Sequence, residues 1–244
     1  MNVLDYIMNR IGEKMHMTLI DPAEQSPDEA ARIAHEAYEG GTDAIMIGGS
    51  THIKPEDVDK TVIRIKEKVP LPVILFPGGA HMISRYADAI YFMSLLNSTS
   101  IEFLVRQQVL GAPIIKKLGI EPIPMGYIIV EPGMTVGKVG KAELIKRDRP
   151  EDAAAYALAA QYFGMKLVYL EAGSGAPEPV PPSMIRAVKE TIDIPLIVGG
   201  GIRKEEDARK IVSAGADIIV TGTLVEEVED IKGAISRIVR AIKL

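Results

Sequence analysis

Residues 189–203 read Lys189-Glu190-Thr191-Ile192-Asp193-Ile194-Pro195-Leu196-Ile197-Val198-Gly199-Gly200-Gly201-Ile202-Arg203. A charged helix end gives way to a proline, then to a short unbroken apolar run, then to three glycines. Continuous apolar character without alternation suits a parallel strand covered on both faces. A similar stretch occurs earlier as Lys66-Glu67-Lys68-Val69-Pro70-Leu71-Pro72-Val73-Ile74. Pro195 stands 123 residues after Pro72, about half of the 244-residue chain. Four βα units in an eightfold barrel would give that offset. A second internal likeness sets Gly41-Thr42-Asp43-Ala44-Ile45 beside Gly215-Ala216-Asp217-Ile218-Ile219.

Working outward, strands are predicted at Met15–Ile20, Ala44–Ile47, Val73–Phe76, Ala89–Met93, Ile123–Ile129, Leu167–Glu171, Leu196–Val198 and Ile218–Thr221. Ser26-Pro27-Asp28-Glu29 opens a helix with a cap, a proline at the first helical position and acids in the first turn. Lys54-Pro55-Glu56-Asp57, Arg149-Pro150-Glu151-Asp152 and Lys204-Glu205-Glu206-Asp207 repeat the acidic opening, and Gly40, Gly119, Gly164 and Gly215 mark helix ends. The fold class is therefore α/β: a single (β/α)8 TIM-type barrel over residues 1–244, with an open doubly wound sheet as the competing topology. His81–Asp88 is too short for a full helix, so the third helix is expected to be degenerate.

Composition bounds the function. Charged residues make up 25% and hydrophobic ones 47%, the balance of a globular chain. A net charge of −5 without a basic run offers no nucleic-acid footprint, so any phosphate must be held by local geometry. Cysteine is absent, which excludes disulfides and thiolate metal sites. No signal-peptide pattern opens the sequence and no apolar run reaches the ~18 residues of a membrane span, so the expected location is cytoplasmic.

Barrel chemistry sits at the carboxyl ends of the strands. Strand six ends Tyr169-Leu170-Glu171-Ala172-Gly173-Ser174-Gly175, strand seven Gly199-Gly200-Gly201, and strand eight Thr221-Gly222-Thr223. Glycines admit a phosphate close to backbone N–H groups, and three such loops on adjacent strands place a phosphate site at strands 6–8. Period-two alternation puts Tyr169 and Glu171 on one face, where Glu171 faces the barrel mouth as a general base or, more blandly, as an inter-loop salt bridge. Asp21 could simply close an Asx-turn before Pro22, and Ser50 could cap a helix. Together they also offer the sparse oxygen set of a Mg²⁺ site, and spacing leaves both readings open. His16, His35, His52 and His81 form no metal-ligand pair and stay outside the catalytic set. Tyr91, Phe92, Leu95, Leu96, Phe103 and Leu104 suit core packing or, beside a missing helix, a groove for a long apolar substrate. Glu131–Lys141, with Lys138 and Lys141, suits a surface loop or a lid.

These segments, with Thr18–Pro22, Gly48–Thr51, Pro72–Gly78 and Val198–Arg203, resemble the geranylgeranylglyceryl phosphate synthase family, which includes bacterial heptaprenylglyceryl phosphate synthases. Glu131–Gly137 is similar to its larger, mainly archaeal branch. The resemblance implies an enzyme: a Mg²⁺-dependent prenyltransferase joining geranylgeranyl diphosphate to the C3 hydroxyl of sn-glycerol 1-phosphate in archaeal ether-lipid biosynthesis. It implies Mg²⁺ on Asp21 and Ser50. It implies glycerol phosphate on Tyr169, Leu170, Glu171, Ala172, Gly173, Ser174, Gly175, Gly200, Gly201, Gly222 and Thr223. Homo-oligomers, hexamer or dimer, belong to that branch, and a lipid product makes peripheral membrane contact an expectation.

Two competing functions remain. Phosphosugar isomerases and synthases of the histidine and tryptophan pathways share such phosphate loops, though no second carboxylate stands opposite Asp21. A non-catalytic phosphate-binding barrel is the other, against which Asp21, Ser50 and Glu171 together argue.

Overall fold

The computed structural model describes residues 2–49 and 53–243. Eight parallel strands close into a barrel in chain order: β1 Met15–Ile20, β2 Ala44–Ile47, β3 Val73–Leu75, β4 Ala89–Leu95, β5 Glu121–Ile129, β6 Leu167–Glu171, β7 Leu196–Gly199 and β8 Ile218–Thr221. The open sheet is thereby excluded, because β1 pairs with β8 from Met15 opposite Ile218 to Thr18 opposite Thr221. Helices α1 (Val3–Arg10), α2 (Pro27–Glu39), α3 (Pro55–Lys66), α4 (Gln107–Leu118), α5 (Met134–Val139), α6 (Pro150–Tyr162), α7 (Pro182–Thr191), α8 (Glu205–Ser213), α9 (Thr223–Glu227) and α10 (Ile231–Ile242) complete it.

The internal echo has a structural cause. Asp43 donates its amide to His16 O at 2.8 Å and accepts the His16 amide on Oδ2 at 3.0 Å. Asp217 does the same to Leu196, at 2.9 and 2.9 Å, and Asp88 to Val73, at 3.0 and 2.9 Å. Each aspartate thus pairs the foot of its own strand with that of the strand before it. Basic side chains complete all three carboxylates: Lys243 at 2.7 Å from Asp43, Lys66 at 2.6 Å from Asp88, and Lys189 and Lys14 at 2.7 and 3.3 Å from Asp217. Pro72 and Pro195 repeat as well, their carbonyls accepting from Ile45 and Val168 at 3.0 Å each.

Alternation along the strands divides the apolar residues between two cores. Met15, Met17, Met46, Ile74, Tyr91, Met125, Leu167, Ile197 and Ile218 fill the barrel interior. Ile20, Ile45, Leu75, Val168, Leu170, Val198 and Ile219 face the helices, where Ala153, Ala157 and Ala160 let α6 approach closely. The floor is α1, which the sequence reading did not find. Val3 and Ile7 enter the inner core, and the Val3 and Leu4 amides donate to Glu121 at 2.5 and 3.0 Å.

The third helix is indeed degenerate, reduced to one 3₁₀ turn at Ala80–Met82. β4 runs two residues past the expected Met93, and β3 stops one residue short of Phe76. α4, preceded by a π-helical turn at Glu102–Arg106, packs against that side of the barrel. The barrel wall between β3 and β4 is therefore open at the mouth.

Candidate active site

A small pocket of about 30 Å³ lies at the ends of β6, β7 and β8, lined by Tyr169, Glu171, Ser174, Gly200, Gly201, Arg203, Gly222 and Thr223 among others. Gly200 and Gly201 both lie in the left-handed region, at φ +83° and +72°. A Cβ on Gly200 would run into Glu171 Oε1 and stand 2.6 Å from the Gly173 amide, so only glycine fits. Ser174 Oγ and Thr223 Oγ1 lie 3.0 Å apart, and the Gly175 amide donates to Thr223 Oγ1 at 3.1 Å, which closes the first loop on the third. Leu170 and Ala172, the alternate residues of that strand end, turn their side chains into the outer core.

Beside it opens a cleft of about 640 Å³. Its floor and walls are largely apolar: Phe76, Ile90, Tyr91, Phe92, Leu95, Phe103 and Ile115, with Val136 and Val139 of α5 above. The aromatic stretch accordingly divides, with Leu96 packing on the outer core instead. Glu131–Lys141 is no bare loop. It forms α5, tied by the Gly133 amide to Ala172 O at 3.0 Å, with Lys138 and Lys141 exposed. Four rings seal the barrel beneath the cleft: Phe76 stacks on Tyr169 at 5.5 Å, and Tyr127 meets both edge-on at 5.3 and 5.2 Å. Tyr91 meets Phe76 edge-on at 6.2 Å.

Glu171 borders both spaces. The carboxyl is 6% exposed, and burial pushes it up to about 7. The Gly173 amide, donating to Oε1 at 2.6 Å, pulls it back, as do the phenols of Tyr169 and Tyr127. Burial and the Glu171 charge in turn push both phenols well above their ordinary range. A carboxyl that titrates near neutrality at a junction of two cavities can hold or release a proton there.

Asp21 also lines the cleft and does make the Asx-turn, accepting the Ala23 amide at 2.9 Å. That bond leaves the carboxylate room for a further partner. Partial burial raises its pKa, the Ala23 amide lowers it, and Glu24 raises it again. Glu226, at the cleft rim and missed by the sequence reading, is raised by partial desolvation and also by Asp21. Ser50 and His52 lie outside the described residues. His16 is buried in the outer layer between Thr42 and Thr221, at 2.9 and 3.0 Å. Burial first, then Lys243, drive its pKa down to about 3, so it is neutral. His35 is exposed on α2, and His81 stands at the cleft rim. Gln107, Gln108 and Gly111 of α4 line the cleft and were also missed; a glycine in mid-helix was the available signal of close approach.

A closed (β/α)8 barrel with a small glycine-walled pocket beside a large apolar cleft defines a class: barrels whose mouth sets a polar site against an apolar one. The chain belongs to the PcrB family, which matches residues 8–242. It is 59% identical over 231 residues to a geranylgeranylglyceryl phosphate synthase of Methanosarcina mazei, covering 94% of each chain. It is 57% identical to the Methanococcoides burtonii protein of the same name, covering 100% of both. The crystal structure of (S)-3-O-geranylgeranylglyceryl phosphate synthase from Thermoplasma acidophilum in complex with its substrate sn-glycerol-1-phosphate superimposes with a TM-score of 0.97 at 53% identity, over 100% of this chain and 99% of that one.

Proposed function

We propose that this chain transfers the geranylgeranyl group of geranylgeranyl diphosphate to the C3 hydroxyl of sn-glycerol 1-phosphate, releasing diphosphate. The observation that carries it is Glu171, the carboxyl bordering both the small pocket and the long apolar cleft. The glycerol phosphate is seated with its phosphate among Ser174, Gly200, Gly201, Gly222 and Thr223, and its C3 hydroxyl turned towards Glu171. Glu171 accepts the hydroxyl proton as the oxygen attacks C1 of the prenyl chain, forming C–O as the bond to diphosphate breaks. Phe76, Tyr91, Phe92 and Phe103 hold the chain and keep water from the allylic centre, whose positive charge grows as diphosphate departs.

Mg²⁺ fits the donor set. Asp21 would hold it together with Ser50, and the like-charge neighbourhood of Asp21 and Glu226 would be relieved by it. Among the described residues no three His, Asp or Glu side chains converge on one point. When bound, the ion neutralises charge on the leaving diphosphate.

No helix of the described residues is long and apolar enough to cross a membrane. The outer face of α4 leaves Val109, Leu110 and Ile114 62%, 54% and 42% exposed. This face supports a homo-oligomer, which light scattering after size exclusion would measure. The reading of a phosphosugar isomerase leaves the 640 Å³ apolar cleft without a purpose.

Product analysis with sn-glycerol 1-phosphate, Mg²⁺ and prenyl diphosphates of several lengths tests the proposal. A C20 ether that disappears with EDTA and with the sn-3 enantiomer is the expected result; a longer product would reassign the prenyl donor, and none at any length would overturn the activity.

A further inference from the structure

The small pocket of about 30 Å³ has one feature that glycine-rich loops do not require. Among its lining residues Arg203 is the only lysine or arginine, and Glu171 the only acid. A phosphate dianion entering there approaches a carboxyl that must ionise for the reaction, and backbone amides supply only partial charges. A full positive charge at the same wall changes that balance.

Arg203 follows the glycines of β7 directly, and its guanidinium reaches both other loops. Nη1 donates to Ala176 O at 2.7 Å, in the loop after β6. Nε donates to Glu227 Oε2 at 3.1 Å, at the end of α9 after β8. The Arg203 side chain is 30% exposed and Glu227 52% exposed, so the ion pair is wet and cheap to break. These two bonds engage two of the guanidinium's five N–H donors, and its fork matches a phosphate.

We propose that Arg203 is the phosphate-recognising cation of this pocket, and that Glu227 holds the guanidinium while the pocket is empty and competes with the entering phosphate for it. The inference rests on the reading of the pocket as the glycerol-phosphate site. Glu227 is then an affinity-setting residue: it keeps the arginine at the wall, and it also weakens phosphate binding by sharing the charge. The bond to Ala176 O stays, because the guanidinium keeps other N–H donors for the phosphate. A mere latch between loops predicts the opposite response at Glu227, since removing either partner of a latch loosens the pocket.

The experiment is calorimetric titration of sn-glycerol 1-phosphate, and of inorganic phosphate, into the full chain and two variants. Arg203→Met is expected to weaken sn-glycerol 1-phosphate roughly tenfold to a hundredfold. It should raise KM for that substrate while kcat at saturation changes little, because the arginine touches the phosphate and not the reacting hydroxyl. Glu227→Gln keeps shape and removes the competing charge, and is expected to tighten both ligands about threefold to tenfold. Glu227→Gln that binds as before or more weakly overturns the proposal, as does Arg203→Met that binds like the parent. If the parent chain itself binds neither ligand, the reading of the pocket fails before the role of Arg203 is reached.

Discussion

The Gly173 amide donates to Glu171 Oε1 at 2.6 Å, two residues further along the same strand end. The loop that walls the small pocket therefore also aims the carboxyl that borders the apolar cleft. In the proposed reaction, substrate binding and proton transfer would share this one backbone turn.

Gly200 shows how tight that turn is. It holds φ +83°, and a Cβ there meets both Glu171 Oε1 and the Gly173 amide. Gly200→Ala is expected to weaken sn-glycerol 1-phosphate at least tenfold and to cost about 1–2 kcal/mol of stability from the strained backbone. Calorimetry and urea unfolding measure the two effects; normal affinity with normal stability would contradict the close approach.

The pH dependence follows from Glu171, held near 7 by burial. The base needs the ionised form, so kcat/KM should rise with pH through about 7 and level off above it. Stability runs the other way. A carboxyl raised from 4.5 to about 7 contributes stability that is fully present below 4.5 and lost as pH rises through 7, about 3 kcal/mol in all. Glu171→Gln should therefore unfold at higher denaturant than the parent at pH 8.5, and the gap should close at pH 5.

His16 supplies the acid limb of stability. Its pKa falls from 6.5 to about 3 on folding, so stability present above 6.5 is lost as pH falls through 3, on the order of 5 kcal/mol. His16→Gln, which keeps a donor and an acceptor for Thr42 and Thr221, should flatten the loss between pH 6.5 and 4. Urea midpoints measured across that range decide it; a parallel decline in both proteins would remove His16 as its source.

Asp21→Asn is expected to raise the Mg²⁺ concentration for half-maximal activity at least tenfold. It should leave sn-glycerol 1-phosphate affinity within about threefold, because Asp21 lines the cleft and not the small pocket. An unchanged Mg²⁺ requirement would take the metal away from this carboxylate.

Much of this was legible in the sequence, for identifiable reasons. The Asp43 and Asp217 echo carries a real repeated clamp between strand feet, and the Pro72 and Pro195 echo, 123 residues apart, reported the barrel's half-chain symmetry. Glu171 was readable because period-two alternation ties its direction to Tyr169, buried inside the barrel. The missing third helix was readable from chain length alone. What stayed hidden depends on contacts between distant segments. α1 has no barrel signature, and contacts with distant residues, such as Glu121, 118 residues from Val3, and Asp43, 37 from Tyr6, reveal it as the floor. Arg203 sat in the quoted motif, but its partners Ala176 and Glu227 come from two other loops. Gln107, Gln108 and Gly111 carry no chemical pattern until α4 is laid across the open wall.

Single-turnover analysis of Glu171→Gln tests the central claim most directly: that one carboxyl at the junction of pocket and cleft takes the hydroxyl proton. With geranylgeranyl diphosphate, Mg²⁺ and sn-glycerol 1-phosphate at saturation, the variant should bind glycerol phosphate within about threefold of the parent and form ether at least a thousandfold more slowly. Near-normal ether formation by that variant would contradict it.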